Sequence, residues 1–464
     1  MTKKILLTFI THCLIFAAFS ALAPSAYAQS KKDLRQARKL TNEGNRAFAQ
    51  KNYRLAVDKY AQALVAAPNL AEAHFWKGYA HNYLQEYDAA LAEFNLAAEN
   101  NFEKPLEIYK LRWSLNLQKQ NMDAALDDVR KGLELDPNNL AMNMALGEIS
   151  RERKDYQTAL TAYQKIAQAN QATGDVYYFI AQSHQNLGNN QEQVTNAAEA
   201  INRGTKYVGE AYFLMGDAHQ KERKFDEALK AYQQSLASKD DPAVHRAMAN
   251  IYRSQSRFND AITTLRKLLR NSPQDGGIYT ELSRYYSLAN RHKEAIQAAQ
   301  AAIRFLPEQS DAYTNLCRAY NDSEQYNLAI GSCNKALQLS PNDGETNFYL
   351  GRAYQGTDKK AEADKYYPKA VTALEEEMTR NPEFYEGFYL LGNAYTTTAN
   401  YDKAVEAYKK SLELSPRFTK AMYNLASIYN FQGKKDLALV QYNTLLDLDK
   451  ELAAKLKDVI DKKN

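Results

Sequence analysis

Cysteine is nearly absent from this 464-residue chain, which has three, at Cys13, Cys317 and Cys333. No Cys-x2-Cys pair and no His-Glu-x-x-His occurs, so the spacings that hold a zinc ion are missing. The Gly-x-Ser-x-Gly elbow and the glycine-rich phosphate loop are missing too, and no stretch is left over for a catalytic domain. The expectation is therefore no catalytic residues, no metal, no cofactor and no enzyme. Charge of one sign is also lacking: the formal balance is +4. That argues against nucleic acid as a partner at the level of the whole chain. Long apolar runs are missing except at the N-terminus, where Ile5 to Phe19 follows Lys3 and Lys4 and precedes Ala26-Tyr27-Ala28. A basic start, a short apolar core and an A-x-A site predict a secretory signal peptide over 1–28, cut between Ala28 and Gln29. Its loss removes Lys3 and Lys4 and no acid, so 59 basic residues become 57 against 55 acidic. Nothing after it is long and apolar enough to span a bilayer. The mature chain is expected in an oxidising extracytoplasmic compartment, the periplasm.

Tyrosine, by contrast, is plentiful at 33, and it recurs in register. LSRYY (282–286), LCRAY (316–320) and LGRAY (350–354) stand 34 residues apart. A fixed period of this size marks a repeat architecture. An alanine column runs through Ala56, Ala90, Ala125, Ala159, Ala228, Ala261, Ala295, Ala329, Ala363, Ala404 and Ala438. Twelve residues before most of these lies a small residue, as at Gly44, Gly147, Gly216, Ser283, Cys317, Gly351 and Gly392, with Trp113 the bulky exception. Small side chains let two helices approach closely, so the columns mark a tight antiparallel contact. Prolines such as Pro68, Pro137, Pro307 and Pro416 end the second helix of a pair.

Phe388-x2-Leu391-Gly392-x2-Tyr395, followed by Ala404-x3-Tyr408 and Pro416, resembles the tetratricopeptide repeat (TPR) family. Twelve such units can be placed between 37 and 449, after a short linker over 29–36; the third and fifth, with Trp113 and Gln193, depart most. The tenth, 344–384, is long by seven residues, close to two helical turns. It should carry a helix kinked at Pro368 that projects Glu375-Glu376-Glu377 beyond the edge. Residues 450–464 read as a capping helix, with Leu452, Leu456, Val459 and Ile460 on one face. The resemblance implies an all-α, right-handed superhelical solenoid whose first helices line a concave wall. It also implies a non-catalytic scaffold that binds other proteins, here of the cell envelope.

Histidines stand where the family packs aromatic rings, so they read as core rather than ligands; a metal at His184 and His219 is the only enzyme reading they leave. The groove is the candidate site. Its face carries Arg284, Arg318 and Arg352, flanked in neighbouring repeats by Asn250 and Asn393, with Phe348, Tyr349 and Tyr389 nearby. Stems about 10 Å apart would meet every third residue of an extended peptide that advances about 3.3 Å per residue. Glu281 on the helix of Arg284, and Asp322 on that of Arg318, should pair with them locally. Arg352 has no such neighbour and should be the freest. Some family members grip acidic tails with a lysine/asparagine clamp; Arg246 and Asn250 resemble its first half, while Glu281 fills the next asparagine position. An acidic polysaccharide or peptidoglycan fragment is the alternative ligand for the same tyrosines and arginines. Cys317 and Cys333, at facing positions of one repeat, are expected to lie within reach of a disulfide.

Overall fold

The computed structural model describes residues 30–169 and 172–462. The expected signal peptide and its cleavage site lie outside the described residues. Among those described there are twenty-five helices and no strand. The chain divides into two compact units, the first ending at Lys206 and the second beginning at Tyr207. Five antiparallel helix pairs make up the first; seven pairs and a final helix make up the second.

The eleventh repeat shows how one pair is built. Its first helix, Tyr385–Thr397, ends where Ala399 takes a left-handed conformation (φ 61°). The N–H of Ala399 then donates to the carbonyl of Thr396 (3.1 Å) and that of Asn400 to Tyr395 (2.8 Å). Those two bonds satisfy carbonyls that the helix end leaves open and reverse the chain into Tyr401–Leu414. Gly392 faces Tyr408, whose ring lies 2.6 Å from where a β-carbon would stand. The same glycine–tyrosine fit recurs at Gly147 with Tyr163, Gly216 with Tyr232 and Gly351 with Tyr367.

This corrects one part of the expected contact. At these glycines the small residue does not meet another small residue; it makes room for the tyrosine ring four residues after the alanine. In the ninth repeat the ring and the glycine are both replaced. Cys317 and Cys333 occupy the two facing positions, fully buried and joined by a disulfide, with Cα atoms 5.2 Å apart. In the eighth, Ser283 instead donates its hydroxyl to the carbonyl of Ala295 (2.8 Å).

Three further expectations fall on the described residues. The first helix, Lys31–Ala49, begins inside the segment assigned to a linker: Ser30 caps it by accepting from the N–H of Asp33 (3.1 Å), and Ala37 is buried. The long helix of the tenth repeat is continuous over Lys360–Arg380 with Pro368 inside it. Of its acidic end only Glu376 stays exposed. Glu375 accepts from the hydroxyl of Tyr395 and pairs with Lys403 (3.3 Å), and Glu377 is half-buried. Tyr395 and Lys403, both of the eleventh repeat, draw Glu375 back onto the stack. The closing helix, Lys450–Asp461, buries Ala453, Leu456 and Ile460 against the twelfth repeat, where Asn430 donates to the carbonyl of Val459 (3.0 Å). No helix among the described residues is long and apolar enough to cross a membrane.

The second unit also closes on itself. Arg253 forms an ion pair with Glu386 (2.7 Å), and the hydroxyl of Tyr385 donates to the carbonyl of Arg253 (2.9 Å). Ser415 donates to the carbonyl of Ser254 (2.9 Å), and Phe258 meets Phe418 edge to face. Lys420 donates to the carbonyl of Ser287 (3.1 Å). Each contact joins the seventh or eighth repeat to the eleventh or twelfth, so the concave side of this unit is narrowed to a cavity that stays open on one side.

Candidate functional site

The cavity has a volume of about 400 Å³ and is lined by the first helices of the eighth to twelfth repeats, with Tyr408 from a second helix. Arg318, Arg352, Phe348, Tyr349, Tyr389 and Asn393 all contribute to it. Arg284 lies in an adjoining recess of about 30 Å³ with Glu345, Glu377 and Glu386. Asn250 is exposed and stands outside both. The 34-residue period thus brings six of the eight residues expected from sequence to one place.

Their charges are arranged otherwise than expected. Arg318 is 6% exposed and pairs with Glu345 of the next repeat, not with Asp322 of its own helix. Arg284 also turns to Glu345 (3.4 Å), while Glu281 is taken by Arg246. Asp322 pairs with Arg352 (3.0 Å), the residue that seemed to have no partner. An evenly spaced ladder of free arginines therefore does not exist, because each carboxylate reaches across to a neighbouring repeat. Arg318 is a buried structural cation stacked 5.6 Å from the Tyr349 ring centre. Arg352 keeps 41% of its side chain exposed.

The aromatic wall is set by packing. Phe348 and Tyr349 are in edge contact at 5.3 Å, and Tyr389 leans on Phe418 at 5.0 Å. Burial pushes the Tyr349 hydroxyl up to about 12 and raises Tyr389 as well, so both stay neutral donors. Asn393 is held in place as an acceptor: the hydroxyl of Tyr408 and the amide of Asn424 both donate to its side-chain oxygen at 2.7 Å.

Sequence reasoning did not single out Lys420, Asn424 or Ser287. Lys420 stands at the second position of the twelfth repeat, one of the groove-facing positions, so its place on the wall was readable. Its contact with Ser287, 133 residues away, was not. Burial holds the Lys420 ammonium below the ordinary lysine range; Asp322 opposes that and Arg318 and Arg352 add to it. Among the described residues no group of three or more histidine, cysteine or carboxylate side chains is placed to hold a metal ion. The cavity presents ring faces, amide and hydroxyl groups, the cations Arg318, Arg352 and Lys420, and the Asp322 carboxylate.

Tetratricopeptide repeat models match residues 41–103, 115–173, 213–276 and 246–310, then 310–343 and 419–452, and also 385–418. A DnaJ homolog subfamily C member 7 homolog from Dictyostelium discoideum is 27% identical over 214 residues, 43% of this chain and 38% of that protein. The Hsp70-Hsp90 organising protein of Plasmodium falciparum is 31% identical over 118 residues, 24% of this chain and 21% of that one. The chain thus spans well under half the length of these relatives. Among solved structures, yeast Tom70 aligns over 92% of this chain and 94% of its own at 15% identity, with a TM-score of 0.39.

Proposed function

Because this chain belongs to the tetratricopeptide repeat family, we propose that it is a non-catalytic scaffold whose second unit holds a segment of a partner protein. The observation that carries this reading is the cavity itself. At about 400 Å³ it falls in the size range of ligand sites, and ring faces line it beside a few fixed polar groups. Rigid aromatic side chains supply contact area at low entropic cost, which is why they anchor protein interfaces. The named relatives that match are an organising protein and a DnaJ homolog, which supports a role among other proteins.

A photo-crosslinking amino acid at Tyr423, inside the cavity, tests the reading against the same group at Leu269, on the second helix of the seventh repeat and outside the cavity. Irradiated in the native host, the Tyr423 position should capture a defined partner segment that the Leu269 position does not. Capture from Leu269 alone would place the interface elsewhere.

The compartment is part of the same proposal. The buried disulfide and the basic-apolar N-terminus support export to the periplasm, with the scaffold serving an envelope assembly. Mass spectrometry of the native protein should find an N-terminus at Gln29 or its pyroglutamate form. Retention of Met1 would contradict it.

A further inference from the structure

The second helices of the second unit carry a charge asymmetry that has no part in the cavity. Phe225–Ser238, Phe258–Asn271, His292–Phe305 and Tyr326–Leu339 are the second helices of the sixth to ninth repeats. Their carboxylates, Asp226, Glu227, Asp260 and Glu294, all sit in the first turns. Beyond those turns the four helices hold Lys230, Arg266, Lys267, Arg270, Arg304 and Lys335, and no acid. A helix turns by about 100° per residue. Counted from the buried alanines Ala228, Ala261, Ala295 and Ala329, all six cations fall within about 100° of arc on the opposite side. Lys335 is half-buried and the other five are exposed.

The fold does not use these charges. Among the described residues, the ion pairs on these helices join Arg257 to Asp260 and Arg291 to Glu294, so none of the six has one. At the helix ends, Asp240 is taken by His245 (2.6 Å) and Asn271 (3.0 Å), and Asp275 by Arg246 (3.3 Å). Helix dipoles favour cations in the last turn, which accounts for Arg270 and Arg304 but not for Lys230, Arg266 or Lys267. Arg266 and Arg270 stand four residues apart and Lys267 and Arg270 three, spacings at which like charges repel along a helix. Thr263, Arg266, Lys267, Leu269 and Arg270 line an open depression of about 430 Å³. It has charge and one leucine but no ring, unlike the cavity.

We infer that this face of the second unit docks on an anionic phospholipid bilayer, with a phosphodiester headgroup in the depression of the seventh repeat. Packed helices stand about 10 Å apart, so cations on four of them spread over about 30 Å. Neighbours at that spacing lie within about one Debye length and act on a charged surface together. Such a spread matches a sheet of negative charge, whereas a single acidic segment would be held in a groove. The choice of a bilayer as that sheet rests on the export reading, which sets the chain beside a membrane; the rest stands on the charges. The face lies opposite the first helices that line the cavity, so a docked chain keeps the cavity free for a partner segment.

The test is co-sedimentation of the protein, as its host produces it, with vesicles of phosphatidylcholine alone or with one-third phosphatidylglycerol. The protein should partition onto the anionic vesicles only, and should leave them at about 0.5 M salt, where screening is strong. Each cation near an anionic surface strengthens attachment about fivefold. Arg266→Gln/Lys267→Gln/Arg270→Gln, all at exposed positions, should therefore weaken partitioning about a hundredfold with an unchanged melting temperature. Lys365→Gln/Lys369→Gln/Lys409→Gln removes the same net charge from the tenth and eleventh repeats and should weaken it by less than about threefold. No binding to the anionic vesicles, or undiminished binding of the first variant, would overturn the inference. An equal loss in both variants would assign attachment to net charge and overturn the face. Duplex DNA that strips the protein from the vesicles at a lower phosphate concentration would assign the face to nucleic acid instead. The N-terminal mass reports on export and the vesicles on the face, so the two readings fail separately.

Discussion

Arg318 and Arg352 occupy the same position in adjacent repeats, yet they differ in how freely they can change partners. Arg318 and Glu345 are both buried, so removing one leaves the other as an uncompensated charge in a poorly solvated place. Glu345→Gln should cost about 3–5 kcal/mol, read as a lowered urea midpoint of the second unit. Arg352→Ala breaks a half-exposed pair and should change stability by less than about 1 kcal/mol. In the first unit, Asp128 is fully buried beside Arg112 (2.9 Å) and Asn116 (2.9 Å). Burial outweighs the pull of Arg112 and pushes its carboxyl up to about 6. A raised carboxyl value disfavours the charged form on folding, so this site penalises stability above pH 6. The penalty is relieved as pH falls toward the unfolded value of 3.8. Carboxyl carbon NMR should find Asp128 titrating near 6, and Arg112→Gln should raise it further. A carboxyl titrating at or below 4 would refute the assignment. At this scale the sequence told which residues share a face but not which charges meet. Arg352 reaches back 30 residues to Asp322 and Arg318 forward 27 to Glu345. Searching one turn along the same helix could not find either.

Within a helix pair, one facing position carries the packing, and the chain fills it in different ways. Glycine with tyrosine is the common solution, serine bonded to a backbone carbonyl is another, and the disulfide is the ninth repeat's. The columns were legible because each repeat reuses the same register. What the small residue faced was less so, since the ring lies four residues beyond the alanine that anchors the count. The disulfide closes a loop of 16 residues, and a cross-link of that span stabilises by about 3 kcal/mol. Reductant should lower the urea midpoint of the second unit accordingly, and the effect should vanish in the Cys317→Ser/Cys333→Ser variant. An unchanged midpoint on verified reduction would show that the bond adds nothing the packed pair lacks. The tenth repeat shows where the period fails as a guide. Its extra turns were evident from the count, but the side chains that hold Glu375, those of Tyr395 and Lys403, belong to the following repeat. Only the assembled stack brings those groups together.

At the scale of the whole second unit, the decisive feature is closure. Stacked repeats interact with their nearest neighbours, which is why sequence period predicts so much of the architecture. The contacts of Arg253 with Glu386, Phe258 with Phe418 and Lys420 with Ser287 violate that locality, each spanning more than 130 residues. They depend on the summed curvature of several repeats, which no single repeat encodes. Closure turns an expected open groove with a row of arginines into a cavity where Arg318 is structural and Arg352 remains available. That division of roles is the central claim, and one measurement addresses it most directly. The partner segment captured at Tyr423 is synthesised, and its dissociation constant is determined for the unaltered chain and for Arg352→Ala. The account predicts affinity weakened by about 1–3 kcal/mol, with the melting temperature of the free protein unchanged. A dissociation constant that does not move in the variant would contradict it.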